Sequence, residues 1–134
     1  MKLVAIAAAA CFLSSVAMAQ ESPVGNWAMD KDATLAVLAE NGKDDEKVKQ
    51  MVEMLAASTV DFTEDAIQFM ASPDVFLAKC GWEADDQGAI KIQNCVDKDG
   101  KPDARNGPTG ANWMEDDSLR LLGGHDMVLV YRRK

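Results

Sequence analysis

The sequence predicts a mainly β domain: a small antiparallel meander, closed or half-closed into a barrel, with two helices inserted between strands 1 and 2. The apolar residues follow a helical period near 3.6 up to residue 58 and a strand period near 2 from Thr59 onward. Three similar acidic turns separate the later strands. Eight strands in about 115 residues would leave long open edges, and closing the sheet removes those edges.

The N-terminal stretch MKLVAIAAAACFLSSVAMA (1–19) predicts a secretory signal peptide. It has one lysine, an uncharged apolar run and a final A-x-A pattern, so we expect cleavage before Gln20. This leaves a single domain at 20–134 and predicts a periplasmic or secreted protein. The run is shorter than the roughly 20 apolar residues that span a bilayer, so no membrane span is expected. A lipid anchor at Cys11 is the alternative, but the apolar run continues past it.

The first strand and the first helix are predicted next to each other. Residues 23–30, PVGNWAMD, have the pattern of a strand, and a helix follows at 30–42. Asp30 or Asp32 is suited to cap the start of this helix, and Gly42 supplies the left-handed residue that ends it.

A second helix is predicted at 43–58, with acidic residues in its first turn, where they favour the helix dipole. Its apolar stripe consists of Val48, Met51, Val52 and Leu55.

The rest of the chain is predicted to be a succession of strands joined by hairpin turns. The segments FTEDAI, WEADDQGAI and WMEDDSL each contain an aromatic residue, an acidic turn and an apolar residue that opens the returning strand. The predicted strands are 58–63, 66–71, 75–84, 89–96, 110–114, 118–122 and 127–133. An open sheet with both helices laid across one face explains the same pattern and remains an alternative.

Two cysteines remain after the expected cleavage, and in an exported chain this favours a disulfide between Cys80 and Cys95. A regular hairpin whose three-residue loop ends at Gly88 would place Cys80 opposite Asn94, so that Cys95 would face the other side. One extra residue near Asn94 brings the two cysteines opposite each other. We therefore predict a disulfide accompanied by a β-bulge, with Gly81 tolerating the distortion.

Two short motifs resemble those of the calycin group, which contains lipocalins, fatty-acid-binding proteins and small bacterial lipocalin-like domains. Gly25 and Trp27 match the G-x-W of the family's first strand, and Arg132 and Arg133 follow Tyr131 at the end of the last strand. The resemblance implies a lipocalin-like barrel in which one of these arginines packs over Trp27, a structural role for these residues. A helix pair after the first strand resembles the fatty-acid-binding branch.

One position departs from that branch. Fatty-acid-binding proteins hold the ligand carboxylate with an R-x-Y motif on the last strand, and here Leu129 stands two residues before Tyr131. The sequence therefore does not favour carboxylate capture of that kind.

The predicted function is that of an exported, non-catalytic binding domain for a small apolar molecule. Large apolar side chains on the predicted strands are the candidates for a pocket lining. They are Phe62, Phe69, Met70, Phe76, Trp82, Trp113, Met127 and Tyr131. The alternation places Phe76, Cys80 and Trp82 on one face of their strand.

The charge balance suggests a second kind of partner. Without Lys2 the chain has 13 basic and 22 acidic residues, a net charge of −9. This charge disfavours nucleic acid and favours cationic partners, so an acidic inhibitor or chaperone of a basic protein is the alternative function.

Neither catalysis nor a cofactor is expected. The only histidine, His125, lies in a GGHD turn, and the chain contains no G-x-S-x-G, H-E-x-x-H or P-loop motif. Calcium is the one cofactor that the sequence suggests. Asp97, Asp99 and Asp103, with Asn106 nearby, resemble an acidic calcium loop but lack a late bidentate Glu.

Overall fold

The architecture is a closed antiparallel barrel, described by a computed structural model for residues 22–103, 108–123 and 127–134. In these ranges eight strands pair in sequence order, and β8 pairs with β1 to close the sheet. The strands are β1 (Gly25–Met29), β2 (Thr59–Phe62), β3 (Ile67–Ser72), β4 (Val75–Ala84), β5 (Ala89–Val96), β6 (Gly110–Trp113), β7 (Ser118–Leu122) and β8 (Val128–Arg133). The predicted fold class is confirmed and the open-sheet alternative is wrong. The predicted signal peptide, 1–19, lies outside the described residues.

Two helices lie between β1 and β2, as predicted: α1 (Lys31–Glu40) and α2 (Glu46–Met54). Asp30 caps α1 by accepting a hydrogen bond from Ala33 N at 3.0 Å, so the cap is Asp30 rather than Asp32. Asp45 caps α2 in the same way. Gly42 ends the first helical segment with a φ of +71°, the left-handed conformation expected of it.

Helix α1 is attached to the edge of β8 by one buried hydroxyl. Thr34 Oγ1 accepts from Val130 N at 2.8 Å and donates to Val130 O at 3.3 Å. Asp30 N, just after the end of β1, still donates to Val130 O at 2.8 Å, and Thr34 supplies the acceptor for Val130 N that a longer β1 would have provided. The helix therefore continues the sheet edge where the first strand stops.

The predicted apolar stripe of α2 is only partly correct. Val52 is fully buried, Val48 and Leu55 are half-buried, and Met51 is 36% exposed. The helix has a narrow buried face because it packs mainly against α1 and the barrel end.

The core of the barrel is formed by side chains from all eight strands. The buried cluster comprises Trp27, Val60, Phe62, Ile67, Phe69, Ala78, Cys80, Ile90, Ile92, Ala111, Leu119, Leu121 and Tyr131.

The disulfide between Cys80 and Cys95 is present, and it lies at the predicted bulge. Trp82 pairs with Ile92 in the regular register, but the register shifts by one residue before Lys79 pairs with Val96. Asn94 is the residue at the shift and has a φ of +57°. The Cα atoms of the two cysteines are 4.0 Å apart. The extra residue thus turns Cys95 towards Cys80.

A second register shift, in the β3–β4 pair, lies beside Phe76. Ala78 pairs with Phe69 in one register, whereas Phe76 pairs with Met70 in another, so the strand is irregular at Leu77. The burial still alternates here, because Val75 and Leu77 are exposed on either side of Phe76. This ring is half-buried and lies outside the core cluster.

The disulfide should contribute substantially to the stability of this small barrel. We expect the Cys80→Ala/Cys95→Ala double variant to lower the free energy of unfolding by about 3 kcal/mol, because the bond restricts a loop with a sequence separation of 15 in the unfolded chain. Urea denaturation of variant and parent measures this. Thiol titration of the unreduced, unfolded chain starting at Gln20 is the control, and two free thiols there would contradict the bond.

Candidate functional site

The two ends of the barrel differ, and we name them by what they contain. The tryptophan end carries the turns 63–66, 85–88 and 114–117. The cavity end is the opposite one, where β1 finishes at Met29 and β2 begins at Thr59.

At the tryptophan end, Trp27 and Arg133 close the barrel. Trp27 is fully buried and donates through Nε1 to Pro23 O at 2.9 Å. The guanidinium carbon of Arg133 lies 4.4 Å from the centre of the Trp27 ring, a cation–π contact worth about 1 kcal/mol. Arg133 also donates to Val24 O at 2.9 Å and to both carboxylate oxygens of Asp117. Of the two arginines considered, Arg133 stacks on Trp27, whereas Arg132 binds Asp30.

Gly25 is required beside this stack. Its φ is +143°, and a Cβ at this position would lie 2.9 Å from Arg133 Nη1. Any side chain there would strain the backbone and displace the arginine.

Three of the predicted pocket residues lie at this end. The rings of Phe62 and Trp82 meet edge to face with centroids 5.2 Å apart, and Trp82 Nε1 donates to Thr63 O at 2.9 Å. Trp113 Nε1 donates to Asp117 Oδ1 at 2.9 Å. These side chains hold the turns against the core, and none of them lines the cavity described below.

Two carboxylates at the tryptophan end, those of Asp116 and Asp117, are stabilised in their ionised form. The hydrogen bonds from Arg133 lower the pKa of Asp117 below its ordinary value. The Ser118 hydroxyl, 2.6 Å from Asp116 Oδ1, lowers the pKa of Asp116. Between the turns 85–88 and 114–117 lies an open depression of about 580 Å³, lined in part by Trp113 and several acidic residues.

The cavity end holds a mostly apolar cavity of about 330 Å³. This volume is near the lower limit of the roughly 300 to 1,000 Å³ found for small-molecule sites. Its described lining consists of Leu55, Ser58, Thr59, Phe69, Met70, Leu77, Ala78, Asp103, Pro108, Leu121, Gly123, Met127, Leu129 and Tyr131. Four predicted pocket residues are therefore brought together: Phe69, Met70, Met127 and Tyr131. Phe76 is not part of this lining.

Two lining residues that the sequence analysis missed were visible in the strand alternation. Leu121 and Leu129 pair directly across β7 and β8, and Leu129 lies two residues from Tyr131 on the same face. The search for aromatic and methionine side chains passed over them. Leu55 and Ser58 come from the segment after α2, whose path is set by the packing of the helices.

The polar residues of the described cavity wall are Thr59, Asp103 and a hydrogen-bonded pair of hydroxyl groups. Ser58 Oγ and Tyr131 Oη are 2.8 Å apart, and both residues are 3% exposed. Burial raises the pKa of Tyr131 above its ordinary value, so its hydroxyl is neutral at physiological pH. Ser58 is held in place by its own backbone, since its N donates to Leu55 O and its O accepts from Met29 N.

No family model, curated protein or solved structure matches this chain. The functional argument therefore depends on the geometry of the two ends. Within the described ranges, no helix is long and apolar enough to cross a membrane.

The loop proposed for calcium uses its first aspartate to form a turn. Asp97 Oδ1 accepts from Asp99 N at 2.9 Å and from Lys101 N at 3.0 Å. In the part of the chain that the structure describes, no group of three or more His, Cys, Asp or Glu side chains is placed to hold a metal ion. Asp103 lines the cavity instead. Asn106 and His125 lie outside the described residues, and calcium binding stays a prediction.

Arg133 should matter more to stability than its neighbour. We expect Arg133→Ala to cost about 2 kcal/mol, because it loses the Trp27 contact and several charge-assisted hydrogen bonds. The matched control Arg132→Ala removes an exposed ion pair and should cost less than about 1 kcal/mol. Urea denaturation at pH 7 measures both changes, and equal losses would contradict the central role of Arg133.

The effect of Arg133→Ala should also depend on pH. The pKa of Asp117 is lowered in the folded state, so its pairing with Arg133 contributes above the ordinary value of 3.8. That contribution to stability is lost as the pH falls through the lowered pKa of Asp117. The difference in stability between parent and variant should therefore shrink on acidification below about pH 4.

Proposed function

We propose that this chain is an exported, lipocalin-like binding protein that holds a small apolar molecule in the cavity at the cavity end of the barrel. The observation that carries the proposal is the cavity of about 330 Å³ with mostly apolar described walls. In a close-packed protein interior, apolar space of this size is unusual and favours an apolar ligand.

The construction of the barrel supports a ligand site at this end. The tryptophans and Arg133 are engaged at the opposite end, where they close the core. At the cavity end, the side chain of Ala78 and the irregular strand at Leu77 leave room. Leu77 is 45% exposed, so it extends from the cavity wall to the surface.

Export is proposed on two grounds. The sequence begins with a pattern typical of a secretory signal, and the Cys80–Cys95 disulfide is compatible with an oxidising compartment. Binding without chemistry is proposed because the sequence carries no recognised catalytic motif.

A cavity-filling variant tests the proposal. The uncharged fluorescent probe N-phenyl-1-naphthylamine should bind the purified protein saturably at one site. Ala78→Leu should weaken this binding by about tenfold or more, because the added atoms occupy the cavity. Ala84→Leu is the matched control: it makes the same change in the same strand, but at an exposed position of the tryptophan end. If the probe does not bind, or binds both variants equally, the cavity is not the site.

A second candidate function is suggested by the acidic turns. Antiparallel pairing gathers all three at the tryptophan end, where residues of the turns 85–88 and 114–117 line the open depression. Their carboxylates are Glu64, Asp65, Asp85, Asp86, Glu115, Asp116 and Asp117. A surface with this concentration of negative charge would attract a basic protein and accelerate its association.

Lysozyme is a suitable basic probe for this candidate. Calorimetry should show association that weakens steeply between about 50 and 300 mM salt, because salt screens exposed charges. The pair Asp86→Asn/Glu115→Gln should weaken it further. The control pair Glu40→Gln/Asp99→Asn removes two exposed charges from other parts of the chain. Association that is insensitive to salt, or to the first pair, would contradict this candidate.

A further inference from the structure

The hydroxyl pair in the cavity wall has hydrogen-bonding capacity to spare. Each hydroxyl has one donor hydrogen and two acceptor sites. A single hydrogen bond between Ser58 Oγ and Tyr131 Oη uses one of the two hydrogens. Among the described residues no further partner of either oxygen is found, so one O–H group remains available at the cavity wall.

The remaining O–H group of the Ser58–Tyr131 pair should have a hydrogen-bond acceptor. Both residues are 97% buried, and a buried hydroxyl without an acceptor is unfavourable. Most of the described wall consists of side chains such as Phe69, Leu121 and Leu129, which offer no acceptor, and no hydrogen bond joins the pair to its other polar residues, Thr59 and Asp103. A ligand oxygen that accepts this hydrogen would satisfy the group.

The charge of the ligand is restricted by the same wall. Of the described residues that line the cavity, none is Lys, Arg or His. Leu129 lies two residues before Tyr131 on the same face of β8 and gives the wall an apolar side chain there. An ionised carboxylate placed among these described residues would lose its hydration without gaining an opposite charge from them.

The geometry points to an uncharged amphiphile as the ligand: an apolar body that carries one oxygen, as in a long-chain alcohol, ketone or ester, hydrogen-bonded to the Ser58–Tyr131 pair. The inference rests on the proposed cavity function and specifies its ligand class. The apolar body accounts for the affinity, and the hydroxyl pair orients the polar end and selects against ionised lipids.

Three ligands of equal chain length test the inference: decan-1-ol, decanoate and decane, each displacing N-phenyl-1-naphthylamine at pH 7.5. The parent protein should bind decan-1-ol about threefold to tenfold more tightly than decane, the amount expected for one hydrogen bond. Decanoate should bind at least about tenfold more weakly than decan-1-ol. Tyr131→Phe, made together with Ser58→Ala so that neither hydroxyl remains, should abolish the preference for the alcohol over decane and leave decane binding unchanged.

Two further variants keep the test decisive if the Tyr131→Phe/Ser58→Ala double variant folds poorly. Leu129→Arg should reverse the preference in favour of decanoate, because it places a cation on the strand face that carries Tyr131. Ser118→Ala is the matched control for the buried hydroxyl, since Ser118 is equally buried but bonded to Asp116 at the tryptophan end. It should leave all three affinities unchanged.

The outcomes separate the two proposals. If neither the probe nor any of the three ligands binds, the cavity function fails and the ligand class fails with it. If all three bind but decanoate equals or exceeds decan-1-ol, the cavity function stands and the ligand class is wrong. The same conclusion follows if the Tyr131→Phe/Ser58→Ala double variant weakens all three ligands equally.

Discussion

The pairing of β1 with β8 is the interaction on which the rest of the structure depends, because it turns a meander into a barrel. Strand β1 has only five residues, and it must pair with β2 on one side and β8 on the other. Arg133 strengthens the pairing of this short strand with β8. Its guanidinium connects the segment before β1, the Trp27 ring and the turn before β7. A single side chain thus joins the first and last strands at one end, while Thr34 of α1 joins them at the other.

The two ends differ because the large aromatic side chains are unevenly distributed. The three tryptophans belong to the tryptophan end, where each indole N–H finds an oxygen acceptor. The opposite end is lined by smaller or flexible side chains such as Ala78, Met70 and Met127. An eight-stranded barrel has room for side chains or one small ligand. Here the tryptophan end is filled with side chains, and space remains at the other.

Much of the fold could be predicted because it depends on local patterns. Alternating apolar residues and acidic turns placed the strands within a few residues of their observed bounds, and the two cysteines required a bulge that is present at Asn94. The register shift in the β3–β4 pair was not predicted. No covalent bond or glycine at Leu77 indicates this shift in the sequence.

The cavity was harder to predict than the strands. Tyr131 and Phe69 were expected at a pocket on chemical grounds, but Trp82 and Trp113 were expected there on the same grounds and lie at the other end. Assigning a residue to an end requires the strand register and the direction of each strand, and these follow only from the closed topology. Ser58 depends in addition on the path of the chain after α2, which tertiary packing determines.

The bulge at Asn94 gives the disulfide a role beyond added stability. In the regular register Cys95 would face away from Cys80, so a hairpin that keeps this register from Gly81 onward needs the extra residue to bring the two sulfur atoms together. A hairpin shifted by one residue along its whole length would also place the two cysteines opposite each other, but it would reverse the faces of β5 and expose Ile90 and Ile92. The bulge confines the shift to the part of the hairpin that carries the cysteines, and the disulfide bond then holds it there.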